Sequence, residues 1–255
     1  MKKVLAIFLP FYLIVIPLFI FYISQSSNSN GAPPYEVGGN ALDFNLNNVS
    51  SFVGWERPDE PVKVALQVGH WKTNEAPDEQ EGLRGNHGAS GGGKAEWEVN
   101  MEIANRTAKI LRERDVVVDI LPTTIPPTYY ADAFVSIHAD GNNDPRKSGF
   151  KVATPWRDMS GKADDLLKNV ETNYSATTQL EIDPSITRNM RGYYAFRWWR
   201  FKHAIHPMTP AIILETGFLS SPRDRQIIID QPELSAVGVA KGIIQFLENE
   251  NLIES

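Results

Sequence analysis

From residue 61 onward, hydrophobic and polar positions follow two alternating rhythms. Mainly apolar runs rich in β-branched residues fall at Val62–Val68, Asp115–Leu121, Ala133–His138 and Ala211–Glu215, with a weaker one at Gly149–Thr154. Their length and composition are those of buried strands. Between them Val99, Ile103, Thr107, Ile110 and Leu111 recur at helical spacing, and Lys162–Val170 reads as a second helix. Pro232–Ser235 then opens a helix carrying Ala236, Val239, Ile243, Ile244 and Leu247. Strands alternating with helices predict a single α/β domain over 61–250, with a mainly parallel mixed sheet and helices on both faces.

Two segments break the rhythm. Residues 74–95 contain Gly85, Gly88, Gly91, Gly92 and Gly93 and are expected to form a long irregular loop of the kind that often serves function. At the N-terminus, Lys2 and Lys3 precede a stretch without charge from Val4 to Ile23. About 20 apolar residues span a bilayer, and the basic pair is expected to stay cytoplasmic. Residues 1–23 therefore read as a membrane anchor or transmembrane helix. A cleaved signal peptide is the alternative, although no small-x-small site follows. Either reading places the domain outside the cytoplasm. Residues 24–60, rich in Ser, Asn, Gly and Pro, read as a flexible linker, with Phe44, Phe52 and Trp55 available to pack on the domain.

Composition narrows the chemistry. The 255-residue chain has a net charge of −6, which argues against nucleic acid as a partner. It has no cysteine, so a thiolate nucleophile, a disulfide and a thiolate metal site are all excluded. Any metal must use His, Asp or Glu.

Three apolar runs end on a residue suited to metal or acid–base work: His70 after Gly69, His138 after Ile137, and Glu215 after Leu214. Ligands of open α/β sheets bind at the carboxyl ends of strands. His70 is either a turn histidine or a ligand, and His138 either a hydrogen-bonded core histidine or a ligand. Glu215 is either paired with an arginine such as Arg223 or a base beside a metal. Asp140 is either a partner that orients His138 or a helix cap. Two imidazoles and a carboxylate make a common catalytic zinc set, and Glu96 and Glu98, after the glycine loop, are candidates for the third ligand. Arg188–Arg200 is basic and aromatic, suited to stacking on sugars or pairing with carboxylates, or to packing on the core. His203 and His206 lie close by and read as supporting residues, and His87 as exposed.

These motifs together resemble the zinc-dependent N-acetylmuramoyl-L-alanine amidases of bacterial cell walls, the amidase 3 family. The resemblance runs from the Gly69-His70 strand end through Glu96-Trp97-Glu98-Val99-Asn100-Met101 and Ser136-Ile137-His138-Ala139-Asp140. It continues through Glu215-Thr216-Gly217-Phe218 to Ala240-Lys241-Gly242-Ile243. It selects Glu96 over Glu98, and implies that His70, Glu96 and His138 bind Zn2+ and that Glu215 is the catalytic glutamate. The implied reaction is hydrolysis of the amide between N-acetylmuramic acid and L-alanine in peptidoglycan. The alternatives are a non-catalytic module that binds wall glycopeptide and a related zinc amidase or peptidase with another substrate.

The chain departs from the family pattern in places. Gln67 stands where the family has Asp, Trp71-Lys72 where it has Gly-Gly, and Asp140 and Ser221 where it often has Asn. Trp71 and the 74–95 loop are expected to alter the substrate groove. Neither a regulatory helix nor a wall-binding repeat is evident, so localisation rests on the anchor or on recruitment by a protein partner.

Overall fold

A computed structural model describes residues 54–254. The first half runs β1 (Lys63–Val68), a hairpin of β2 (Ser90–Gly91) and β3 (Lys94–Ala95), α1 (Glu96–Arg112), β4 (Val117–Leu121) and β5 (Ala133–Asp140). The second half runs β6 (Lys151–Ala153), α2 (Ala163–Thr178), the short α3 (Arg188–Arg191), β7 (Ala211–Phe218), α4 (Pro222–Ile228) and α5 (Pro232–Asn249). The five-stranded sheet has the order β4-β1-β5-β7-β6. All neighbours are parallel except β6, which pairs antiparallel with β7 at the edge.

Side chains alternate across each strand, so register decides which residues share a face. On one face Val64, Leu66, Val135, Ile137, Ile212 and Leu214 join α1, α2 and α5 in a single core through Val99, Ile103, Leu166, Val170, Val239 and Ile243. The approach of α5 to α2 needs a residue without a side chain. A Cβ at Gly242 would stand 2.4 Å from the Val170 Cα, which gives the Ala-x-Gly-Ile segment a packing reason.

The opposite face corrects the expectation of helices on both sides. Ala65, Phe134, Ala153 and Ile213 are covered by Met190, Ala195, Phe196 and Ile205. These come from a mostly irregular segment holding only α3 and a 3-10 turn at Tyr194–Phe196. By register this face also carries Gln67, Ser136, His138, Glu215 and Lys151. An apolar helix laid there would leave those groups without hydrogen-bond partners.

The 74–95 segment is more ordered than expected. It holds part of a 3-10 helix at Thr73–Glu75, another at Asp78–Leu83, and the β2–β3 hairpin. Helix α4 was not apparent in the apolar pattern, and α2 continues well past Val170.

The expected anchor, with Phe44 and Phe52 of the expected linker, lies outside the described residues. Among the described residues no helix is long and apolar enough to cross a membrane. The last linker residues lie against the domain. Trp55 stacks on His206 with centroids 5.7 Å apart, and Arg57 forks onto Asp132 at 2.6 and 2.9 Å.

Candidate active site

Three local features deliver the site. At the end of β1 the Gly69 N–H donates to the Ile137 carbonyl at 2.9 Å, and His70 then turns in the left-handed region at φ 61°. His138 is buried on β5, and Glu96 is the first residue of α1. The choice between the two glutamates has a simple cause. The exposed Glu98 caps the helix by accepting the Ala95 N–H at 2.8 Å, while Glu96 is buried and turned inward.

The turned-in groups converge. One donor atom each from His70, Glu96 and His138 lies within 4.8 Å of the others. Glu96 Oε1 is 3.0 Å from His138 Nδ1 and 3.6 Å from His70 Nε2. The remaining atoms of the three groups are engaged elsewhere. His70 Nδ1 is 2.9 Å from the Asn86 carbonyl, Glu96 Oε2 accepts the Ala89 N–H at 2.7 Å, and His138 Nε2 is 3.1 Å from the Tyr193 hydroxyl. Asn100, one turn along α1, donates to the Gly69 carbonyl at 3.3 Å and ties the helix to the β1 turn. A Cβ on Gly88 would stand 2.2 Å from Glu96 Oε2 and 2.6 Å from His70 Cδ2, so the glycine loop closes directly on the cluster.

The electrostatics follow from this crowding. Burial opposes ionisation of Glu96, but the hydrogen bond and charge of His138, the charge of His70 and the Ala89 N–H hold it below the ordinary carboxylate range. Burial depresses His70, and the neighbouring His138 adds to that.

Glu215 stands opposite His138 in the β5–β7 ladder and opposite Lys151 in the β6–β7 ladder. Burial raises its carboxyl to about 7, assisted by the charges of Glu96 and Asp140 and opposed by His138 and Lys151. Among the described residues no ion pair joins it to Arg223; the structural alternative for Glu215 is not realised. A carboxyl with a raised proton affinity, beside a cluster of ligand-type groups, is suited to receiving a proton.

Other expectations resolve differently. Asp140 neither orients His138 nor caps a helix; it pairs with the buried Lys151 and accepts the Gly141 N–H at 2.8 Å. Trp71 packs against the main core and is not among the residues lining the cavity beside the imidazoles. Ser221 caps α4 by accepting the Asp224 N–H at 3.3 Å, a role Asn fills equally well. His203 bonds Glu79 at 2.6 Å, His206 accepts the Met208 N–H at 3.2 Å, and His87 is exposed. None of these three joins the cluster.

Within Arg188–Arg200, Met190, Ala195 and Phe196 pack on the core, whereas Asn189, Tyr193 and Arg197 line a 310 Å³ cavity together with His70 and His138. Tyr193, bonded to His138, and Gln67, bonded to Tyr194, are neighbours of the cluster that no strand-end or helical pattern marks. The sequence signals were that Gln67 is polar inside a buried strand where the family pattern has Asp, and that Tyr193 lies within the aromatic Arg188–Arg200 segment.

The chain and its fold match a known group. The Amidase_3 family model, described as N-acetylmuramoyl-L-alanine amidase, matches residues 64–247, and the chain belongs to that family. It is an N-acetylmuramoyl-L-alanine amidase, an enzyme that hydrolyses peptidoglycan. Solved structures share the fold at low identity. An N-acetylmuramoyl-L-alanine amidase from Clostridium difficile 630 aligns with TM-score 0.53 and 18% identity, covering 74% of this chain and 98% of that one. Ami1 from Mycobacterium smegmatis gives 0.53 and 18%, covering 74% and 97%, and AmiC2 of Nostoc punctiforme gives 0.51 and 20%, covering 73% and 97%. A comparison with curated proteins returns no match.

Proposed function

We propose that the amidase is zinc-dependent, with His70, Glu96 and His138 as ligands and Glu215 as general base. The observation that carries this reading is that each of the three groups is tied down through one atom and offers another to a shared point, all three within 4.8 Å. Imidazole and carboxylate donors in that number suit zinc and leave a position open for reaction. When bound, zinc supplies a Lewis acid that polarises the scissile carbonyl and lowers the pKa of water.

The protein groups do the rest. Glu215 takes the proton from the attacking water and delivers it to the departing amine of L-alanine. Its raised proton affinity belongs to the metal-free chain, and a cation nearby favours the ionised form that a base requires. The muramoyl peptide occupies the cavity beside the two imidazoles, where Arg197 presents a cation to a stem-peptide carboxylate. Residues 4–23 hold the domain at the outer side of the bacterial membrane, within reach of the wall.

Digestion of purified sacculi tests the reading. The protein is expected to release intact stem peptides and free muramoyl glycan, to stop when a chelator is added, and to recover with zinc. Undiminished release in a chelator that strips the metal from the protein would overturn the zinc assignment. Membrane fractionation of the full chain, with and without residues 4–23, checks the anchor.

A further inference from the structure

His138 is held from behind by a hydrogen-bonded chain with only one consistent direction. Its Nε2 lies 3.1 Å from the Tyr193 hydroxyl, which lies 2.8 Å from the Tyr194 hydroxyl. Tyr194 in turn reaches the Thr123 carbonyl at 2.6 Å. The fully buried Gln67 adds its amide, with Nε2 2.6 Å from the same carbonyl and 3.0 Å from Tyr194 Oη.

The protons can be counted along this chain. A carbonyl only accepts, so Tyr194 spends its single proton on Thr123. Its oxygen is left to accept, from Gln67 on one side and Tyr193 on the other. Tyr193 spends its own proton on Tyr194 and can only accept from His138. His138 Nε2 must therefore carry hydrogen. The orientation of Gln67 is fixed by the same logic, because a reversed amide would place two carbonyl oxygens 2.6 Å apart. The cost of this orientation is visible: Gln67 Oε1 is buried without a partner.

We propose that the Thr123–Tyr194–Tyr193 chain, braced by Gln67, is a positioning device that fixes His138 with hydrogen on Nε2 and so leaves Nδ1, the atom facing Glu96 and His70, as the ring's one donor to a metal. The proposal rests on the metal-site reading for its purpose, but its geometry stands apart from it. It also gives the departure at residue 67 a reason. The Asp of the family pattern accepts and does not donate, whereas this chain needs two donors at that point. Gln67 supplies both. Partners of this kind that orient a metal-binding imidazole typically change metal affinity about 10–100-fold when removed.

The test uses Tyr194→Phe and Tyr193→Phe in the whole chain. Nitrogen-15 spectra of histidine-labelled, metal-free protein report whether His138 Nε2 carries hydrogen. The wild type is expected to show hydrogen on Nε2, with a second hydrogen on Nδ1 donated to the Glu96 carboxylate 3.0 Å away. Tyr194→Phe frees the Tyr193 hydroxyl to donate to Nε2, so the Nε2 hydrogen should be lost. Tyr193→Phe should leave a mixture.

Zinc affinity, measured by competition with a chromophoric chelator, should fall about 10–100-fold in both variants. A wild-type ring with a bare Nε2 overturns the proposal whether or not metal binds. So does a Tyr194→Phe protein that melts earlier yet keeps the wild-type tautomer and affinity, because that pattern describes packing alone. Failure of the wild type to bind zinc would instead defeat the metal reading and leave the tautomer result to decide this one.

Discussion

Gly69 lies directly against the imidazole of His138. A Cβ at residue 69 would stand 2.4 Å from Cε1 and 2.5 Å from both ring nitrogens. Gly69 is not in the left-handed region, so the constraint is space beside the ring and not backbone freedom. Gly69→Ala is expected to push His138 off its position, lowering zinc content and cutting turnover on the order of 100-fold or more. Overpacking of this kind costs about 1–3 kcal/mol, so the protein should still fold. Metal analysis and a sacculus assay beside a melting curve check this; normal zinc content in the Gly69→Ala variant would show that the ring has another place to sit.

Glu215→Gln separates the two halves of the chemistry. The amide keeps the size of the side chain but cannot take up a proton. Turnover is expected to fall about 10²–10⁴-fold with little change in zinc affinity. His138→Ala should lose both metal and turnover. Equal loss of metal in the two variants would remove Glu215 from the role of base and place it among the ligands.

The same carboxyl predicts a pH dependence of stability in the metal-free protein. Its folded value of about 7 lies above the reference value of 4.5, so the folded state holds its proton after the unfolded chain has released it. Between those values the unfolded state binds fewer protons, and stability conferred by the neutral form is lost as pH rises. The difference in unfolding free energy between wild type and Glu215→Gln should therefore change by about 3 kcal/mol across that window, to the disadvantage of the wild type at high pH. Urea titrations at a series of pH values measure it, and parallel curves would contradict the assigned burial of the charge.

Lys151 is the buried cation beside Glu215. It pairs with Asp140 and lies 3.8 Å from Asp183. Lys151→Met leaves Asp140 without its cation, and losing one partner of a buried pair costs on the order of 3 kcal/mol. Because Lys151 also lowers the proton affinity of Glu215, its removal should move the acid limb of the activity profile to higher pH. An unmoved limb in a protein of lowered stability would confine Lys151 to a structural role.

Arg57 predicts where the folded unit must begin. Asp132 is buried and held by Arg57, by the Lys63 N–H at 2.9 Å and by the Tyr130 hydroxyl at 3.0 Å. A chain starting at residue 61 removes the only cation among these partners. It should be less stable than one starting at 54 by roughly 1–3 kcal/mol, read from urea midpoints.

The sequence revealed the site more fully than the layer that covers it. His70, His138 and Glu215 were legible because each is a polar residue at the end of an apolar run, and such a residue has few bland explanations. Glu96 needed the motif, since nothing in periodicity separates it from Glu98 until the helix start is known. Helix α4 carried a readable signal, Ser221 followed by Pro222, but it is short and lacks a full apolar stripe. The covering segment was opaque for a different reason. Tyr194 meets Gln67 and Thr123 from 127 and 71 residues away, and a contact so distant leaves no periodic trace in the intervening chain. Asp140 was misjudged because its pairing with Lys151 across the sheet edge depends on the antiparallel turn of β6, which the apolar pattern does not specify.

His138 and Glu215 sit on adjacent parallel strands in direct register. The spacing between the imidazole and the carboxylate is thus set by a peptide ladder and not by any loop. A rearrangement of the glycine-rich segment or of the tyrosine-bearing cover would leave that separation in place, because main-chain geometry alone fixes it.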